Sequence, residues 1–99
     1  MIKETIRSAN GTSFHGTTIV TTPRKLIERF PRSYSEQNTG EDKTNFDFEL
    51  ENGNGDVFTI YDWKEYRPIG LDEQIEFHIG GFSKEVTEFS KRQLLEVLK

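Results

Sequence analysis

The sequence predicts an α+β domain with a mostly antiparallel sheet, and three observations lead to this fold class. Several segments alternate apolar and polar residues with the two-residue period of a strand. The turn-forming sequence NGNGD joins two of these segments as a hairpin. Two other segments begin with helix-capping residues, and one of them closes the chain. We therefore expect one domain spanning residues 1–99, with the order β-β-α-β-β-β-α and the C-terminal helix packed on one sheet face.

The N-terminal part is expected to contain two strands. Residues 3–8 are predicted as a short strand, followed by a turn at Asn10-Gly11. Residues 17–21 are β-branched at every position, which favours a second strand. The sequence SFHGTT, residues 13–18, is interpreted as a turn.

A short helix is expected after the second strand. Thr22 can cap it, and Pro23 suits the first helical position, where its missing N–H costs nothing. Leu26, Ile27 and Phe30 would share one side of this helix. Residues 31–43 are polar and are predicted to form an exposed loop.

Three further strands form the predicted meander. Residues 44–51 place Phe46, Phe48 and Leu50 on one face and polar side chains on the other. The returning strand, residues 57–61, is apolar on both faces, which is typical of a central strand or of one that meets a ligand or another subunit. A third alternating strand is predicted over residues 75–79.

The last element is predicted as a helix that Ser83 caps and that runs to Leu98. Glu85 in its first turn would interact favourably with the helix dipole. Its apolar stripe is expected to cover the phenylalanine-rich sheet face through Val86, Phe89, Leu94, Val97 and Leu98.

Composition narrows the function classes. The chain has a net charge of −4 and is most acidic over residues 36–76, with twelve acidic side chains against three basic ones. This disfavours duplex DNA as a partner, because phosphates would be repelled. No cysteine is present, so the chain has no disulfide, no cysteine nucleophile and no thiolate ligand for zinc. Without a membrane-spanning run or a leader after Met1, we expect a cytoplasmic protein with no cofactor and no membrane partner.

The most unusual segment is YDWKEYR, residues 61–67, which mixes three aromatic side chains with two cations and two carboxylates. Aromatic rings can stack on a nucleotide base, and arginine matches phosphate oxygens. The sequence HIGGFS follows a strand and enters a helix, so its glycines and helix start could bind an anion. The candidate ligand-binding residues are Tyr61, Trp63, Lys64, Tyr66, Arg67, His78, Gly80, Gly81 and Ser83.

Simpler explanations stand beside this site. Gly80-Gly81 can be a tight strand-to-helix turn, and the aromatic rings can belong to the core. His15 and His78 lack a second histidine at ligand spacing, so we expect no metal site. His78 could act as a base with Asp62 or Glu76, but no nucleophile motif accompanies it, so we expect no catalytic residue and no enzyme.

Two segments, FTIYDWKEYRP and EFHIGG, resemble those of small bacteriophage proteins. The resemblance covers about the second half of the chain, from DKTNFDFELE to the last helix. It implies a phage protein that interferes with host defence, in the host cytoplasm, by sequestering a nucleotide signal or by binding a host protein.

Two function hypotheses remain open. The first is a non-catalytic sponge for a phosphorylated or cyclic nucleotide, in which Trp63 and Tyr66 stack and Lys64 and Arg67 supply charge. The second is an inhibitor that binds a host protein through an acidic, aromatic-flanked sheet face. A clustered basic pocket would favour the first and a flat acidic face the second. We also predict a homodimer or larger homo-oligomer, formed through the face that carries Val57, Tyr61 and Trp63.

Overall fold

The chain folds into one antiparallel sheet with two helices packed on one of its faces. The computed structural model describes residues 1–5, 7–36, 38–41 and 43–99. The strands are β1 (Lys3–Glu4), β2 (Ser13–Thr21), β3 (Tyr34–Glu36), β4 (Phe46–Glu51), β5 (Val57–Tyr61) and β6 (Ile75–Gly81). The helices are α1 (Pro23–Arg29) and α2 (Lys84–Val97). The predicted α+β class and the packing of the C-terminal helix on the sheet are confirmed.

The sheet order is β1-β4-β5-β6-β2, and every pair is antiparallel. The predicted meander is confirmed as β4-β5-β6, with β5 as the central strand. Two short strands share the outer edge of β4: β1 pairs with its last two residues, and β3 pairs with residues 46–48. β2 forms the opposite edge of the sheet.

The inner face of the sheet carries the core. Phe48 lies opposite Ile60, and Ile60 lies opposite Ile79, so side chains of three adjacent strands meet there. Leu26 of α1 and Leu94 of α2 join the same buried cluster. Both helices therefore cover one face, and the other, outer face is left without a covering helix among the residues that the structure describes.

Four details of the prediction are corrected. The expected loop over residues 31–43 contains β3, because its backbone can pair with the free edge of β4. The first strand is limited to β1, and Ile6 of its predicted range lies outside the described residues, as do Gln37 and Asp42 of the expected loop. The turn predicted over residues 13–18 is part of β2, whose pairing with β6 shifts register between Phe14 and Thr18. The glycines at 80 and 81 extend β6 and are not a turn.

Both predicted helix starts are confirmed. The Thr22 hydroxyl accepts a hydrogen bond from the Lys25 N–H at 3.2 Å, and Pro23 is at the start of α1. The Ser83 hydroxyl accepts one from the Val86 N–H, also at 3.2 Å. Each cap satisfies a backbone donor that the first helical turn leaves free.

The buried face of α2 differs from the predicted apolar stripe. Thr87, Ser90 and Leu94 are its buried residues, whereas Val86 and Phe89 are only half-buried. A side chain at Gly81 would approach the Thr87 Cγ2 atom to 2.9 Å, so the helix lies close to the sheet there. Small polar residues fit this short distance, since the hydroxyls of Thr87 and Thr17 bond to each other at 2.8 Å. Neither helix, over the ranges described, is long and apolar enough to cross a membrane.

Candidate functional site

The candidate site is the outer face of the sheet, where four rings form what we call the aromatic cluster: Phe14, Tyr61, Trp63 and His78. The His78 imidazole is its centre and stacks on the Phe14 ring with a centroid distance of 3.9 Å. The Trp63 indole lies 6.2 Å from the same imidazole, and the Tyr61 ring meets it edge-on at 5.5 Å. Burial lowers the pKa of His78, although the charge of Glu76 opposes this, so the neutral form of the imidazole is favoured.

The aromatic cluster follows from strand register. His78 on β6 lies opposite Tyr61 on β5 and Thr18 on β2, which places all three on the outer face. The irregularity in β2 shifts the pairing so that Phe14 lies opposite Gly80. Glycine at that position leaves room, since a Cβ there would come within 2.6 Å of the Thr59 Oγ1 atom.

A concave region beside the cluster, the sheet groove, has a volume of about 310 Å³. Asp47 and Glu49 of β4, Thr59 and Tyr61 of β5 and Gly80 of β6 form its floor, with Trp63 and part of residues 9–13 as walls. Its volume is at the lower end of the range in which protein ligands are bound, roughly 300–1,000 Å³.

A second concave region, the edge groove, lies beside β4 where β1 and β3 leave a gap. Its volume is about 630 Å³, and its lining includes Glu4, Arg32 and Tyr34. Asp47 and Glu49 line both grooves, so the two grooves meet at these carboxylates. The region as a whole is acidic.

Asp47 is the most strongly perturbed group of this face. Burial raises the pKa of its carboxyl to about 6, and the nearby charges of Glu49 and Asp62 raise it further. No side chain that the structure describes donates a hydrogen bond to this carboxylate or forms an ion pair with it. Tyr61 lies directly opposite Asp47 on β5. Burial of Tyr61 raises its pKa, and the charge of Asp47 raises it further. An ionised Asp47 is therefore costly unless a cation comes to it.

Asp62 explains how the YDWKEYR segment is held. Its carboxylate is fully buried and accepts hydrogen bonds from the backbone N–H groups of Asn45 and Phe46 at 2.7–3.0 Å. The Asn45 side chain also donates to this carboxylate and to the Arg67 carbonyl oxygen. The segment is thus tied to the start of β4 at two points, and Trp63 projects from between them.

Two residues of this segment have left-handed backbone conformations. Lys64 has a φ of 56° and Tyr66 a φ of 53°, although neither is glycine. Such conformations cost free energy and persist only where the surroundings impose them. The hydrogen bonds of Asp62 and of Asn45 hold the chain on either side of these two residues, and Trp63 and Tyr66 are exposed at 38% and 54%.

The structure brings together only part of the predicted site. Tyr61, Trp63, His78 and Gly80 meet on the outer face. The ammonium groups of Lys64 and Lys43 lie 5.5 and 5.8 Å from the Trp63 ring centre, at one rim of the groove. Tyr66 is exposed and does not line the sheet groove.

The other predicted residues have local partners. The Arg67 guanidinium pairs with both carboxylate oxygens of Glu73 and lies 3.6 Å from the Glu65 carboxylate. These contacts raise the pKa of Arg67 and lower that of Glu73. Gly81 faces α2, and the Ser83 hydroxyl is used as the helix cap. The backbone groups of Gly80 and Gly81 lie in a strand paired with β2, which corrects the predicted anion-binding turn.

Sequence reasoning did not identify Phe14, Asn45, Asp47 or Glu49 as site residues, and it considered Asp62 only as a possible partner of His78. Asp47 and Glu49 were read only as the polar face of a strand, and their alternation is the signal that could have placed them opposite Tyr61 and Thr59. Asp62 and Asn45 carry no sequence signal, because nothing in the pattern shows that they are buried together. Within the described ranges, no group of three or more His, Cys, Asp or Glu side chains is arranged to hold a metal ion.

Fold and grooves together define a small α+β protein whose sheet has one covered face and one open face that is acidic and aromatic. Comparison with protein-family models gave no match for this chain, and a search of curated proteins gave none either.

Proposed function

We propose that this chain is a non-catalytic binding protein whose outer sheet face recognises a basic segment of a partner protein. The observation that carries the proposal is Asp47, a half-buried carboxylate on the floor between two grooves, beside Glu49 and the aromatic cluster. A lysine or arginine side chain placed there would offset the cost of that buried charge.

The aromatic wall supports the same class of ligand. Trp63 and Tyr61 meet edge-to-face with their centroids 5.9 Å apart, and both line the sheet groove. Ring faces attract ammonium and guanidinium groups, and a flat guanidinium can also stack on them. Acidic floor and aromatic wall therefore favour a cationic side chain over a phosphate.

The resemblance to phage proteins suggests which partner to look for. With a phage origin, the partner would be a basic region of a host defence protein, met in the host cytoplasm, and the chain would act as its inhibitor. The proposal does not depend on that origin, because it rests on the charges and rings of the outer face.

The test uses Trp63, the single tryptophan of the chain, as a reporter. An arginine-rich peptide titrated into the protein is expected to change Trp63 fluorescence in a saturable way. Asp47→Asn is expected to weaken this binding roughly ten- to hundredfold, because an ionic hydrogen bond is lost. Glu96→Gln, the same loss of charge on an exposed part of α2 away from the grooves, is the matched control and should bind as the parent does. A fluorescence response that Asp47→Asn leaves unchanged would refute the proposal.

The second candidate function is the capture of a phosphorylated or cyclic nucleotide. Lys43 and Lys64 beside the exposed Trp63 ring could hold a phosphate while a base stacks on the indole. In that case a cyclic or phosphorylated nucleotide, and not the basic peptide, would quench Trp63, and Lys64→Ala would weaken the effect. The same titration therefore separates the two candidates.

A further inference from the structure

The two edges of the sheet differ in how well they are protected against pairing with another chain. At one edge, β1 has two residues and β3 has three, and both charged residues of β1 are exposed. Short and charged edge strands resist pairing. At the other edge, β2 runs for nine residues, and no strand among the described residues pairs with its outer side.

Only the first half of β2 carries protective features. Gly16 has a φ of +91°, within the irregular part of the β2–β6 pairing. The Lys84 ammonium donates to the His15 carbonyl oxygen at 3.4 Å, and the His15 imidazole contacts the Gly81 carbonyl oxygen at 3.1 Å. Irregular backbone and a lysine are common means of keeping other strands away from an edge.

The second half, Thr17–Thr21, has none of these features. Its register with β6 is regular from Thr18 to Thr21. Every residue is β-branched, and the segment contains no charge and no proline. Val20 is 61% exposed. Outside the sheet ladder itself, the backbone hydrogen bonds of the described residues do not involve this segment. The backbone groups of this segment that point away from β6 therefore have no backbone partner among the described residues, although Thr17, Ile19 and Thr21 are only 3%, 4% and 6% exposed.

We propose that a second copy of this chain pairs with this edge, with Thr17–Thr21 of each copy antiparallel about a two-fold axis. Identical strands in antiparallel pairing offer each other the same donors and acceptors, so the contact is self-complementary and closed. A strand of a different protein would need pockets for its side chains to be recognised. Thr17–Thr21 lines neither the sheet groove nor the edge groove. Because Thr17–Thr21 carries no charge, the pairing itself brings no like charges opposite each other.

The pairing has a consequence for the outer face. The two-fold axis would be perpendicular to the sheet, so the helices of both copies lie on one side and both outer faces on the other. The two sheets become one continuous sheet with two sheet grooves. This interface differs from the one expected from sequence, which used Val57, Tyr61 and Trp63; Val57 is in fact buried within one copy at 3% exposure.

Light scattering on the whole chain tests the proposal. At micromolar concentration the parent is expected to have twice the 11.5 kDa mass of one chain. Val20→Lys is expected to give the mass of one chain. The pairing is centred on Ile19 and sets Val20 opposite Thr18 of the second copy, so the two introduced ammonium groups would be diagonal neighbours on the same face of the sheet and would repel each other. Val20→Thr, which keeps the β-branched shape, and Leu95→Lys, which alters an exposed leucine on α2, should both remain dimers.

Hydrogen exchange provides the second measurement, and it needs no variant. Amide protection at Thr17–Thr21 is expected to rise when the parent is concentrated through the dimer transition, with β1 and β3 unchanged. This result decides the matter if Val20→Lys does not fold. A parent that is a single chain at micromolar concentration would overturn the proposal. A dimer in which exchange at Thr17–Thr21 does not respond to concentration would overturn it as well.

Discussion

The charge of Asp47, on the open face of the sheet, is unfavourable unless a cation binds beside it. Its carboxyl is half-buried next to Glu49, and no cation in the part of the chain that the structure describes forms an ion pair with it. Tyr61 faces it from β5 and Asp62 adds a further negative charge. The protein alone therefore leaves this carboxylate poorly compensated.

This environment predicts a pH-dependent stability difference between the parent and Asp47→Asn. The folded-state pKa of Asp47 is about 6, above its ordinary value of 3.8, so the folded state holds the proton more tightly. As pH rises between these values, the parent loses stability that the variant keeps. Discounted for partial solvent exposure, the variant should be more stable at pH 7 by on the order of 1 kcal/mol.

Denaturant unfolding of both proteins from pH 3 to pH 7 measures this difference. His78 titrates with the opposite sign, since its lowered pKa destabilises the fold on acidification, but it is present in both proteins and cancels. A constant difference in stability across the whole range would contradict the environment assigned to Asp47.

Arg67 is the predicted site residue whose role the structure changes most. Because its guanidinium is engaged by Glu73 and Glu65, we expect Arg67→Ala to leave binding of the arginine-rich peptide unchanged. Fluorescence titration of Trp63 measures this. If nucleotide capture is the function and Arg67 contributes to it, the same variant should instead weaken nucleotide binding roughly ten- to hundredfold. Arg24→Ala, which removes another exposed arginine paired with a carboxylate, is the control.

At the scale of elements, the connection from β5 to β6 is held by polar side chains and not by apolar packing alone. The Asn38 side chain donates to the Ile69 carbonyl oxygen and accepts from the Ile69 N–H, at 2.8 and 2.7 Å. Asn45 and Asp62 hold the other half of the connection. Side-chain hydrogen bonds thus hold both halves of the loop that carries Trp63.

We predict that Asp62→Ala loosens this loop and destabilises the domain. Two buried backbone donors, at Asn45 and Phe46, would lose their acceptor, at a cost of about 1–3 kcal/mol each. Asp62→Asn keeps one acceptor oxygen and should cost less. Urea unfolding measures the stability, and Trp63 fluorescence anisotropy reports the mobility of the ring. Equal stability of the parent and Asp62→Ala would show that water replaces the carboxylate without cost.

At the scale of the whole molecule, the two proposed contacts differ in their physical origin. The outer face would bind its partner through charge, whereas the β2 edge would bind a second copy through backbone hydrogen bonds and uncharged side chains. The chain as a whole carries a net charge of −4, which repels a second copy and attracts a basic partner.

Salt should therefore affect the two contacts differently. Raising the ionic strength screens exposed charges, so binding of the arginine-rich peptide to the outer face is expected to weaken. Self-association should be unchanged or slightly stronger, because the repulsion between two acidic chains is screened. Fluorescence titration and light scattering in the same salt series measure both. Parallel weakening of the two contacts would mean that charge also drives the self-association.

Local patterns determined much of the fold. Alternation fixed which faces of β4 and β6 are buried, since a two-residue period leaves only one apolar face to cover. Thr22-Pro23 and Ser83 located both helix starts, because capping is a short-range interaction. The central position of β5 agrees with one of the two interpretations of its apolar residues on both faces.

Only the tertiary structure decided how these elements pair and pack against each other. Pairing of β3 with β4 depends on a free edge that no local pattern reveals. Gly80 and Gly81 serve close packing on opposite faces of one strand, and a double glycine alone does not distinguish this from a turn. The burial of Asp62 and the raised pKa of Asp47 arise from residues brought together across strands. Sequence thus determined the short-range geometry of this protein, and the tertiary contacts determined its electrostatics, because charges and hydrogen bonds depend on neighbours that are distant along the chain.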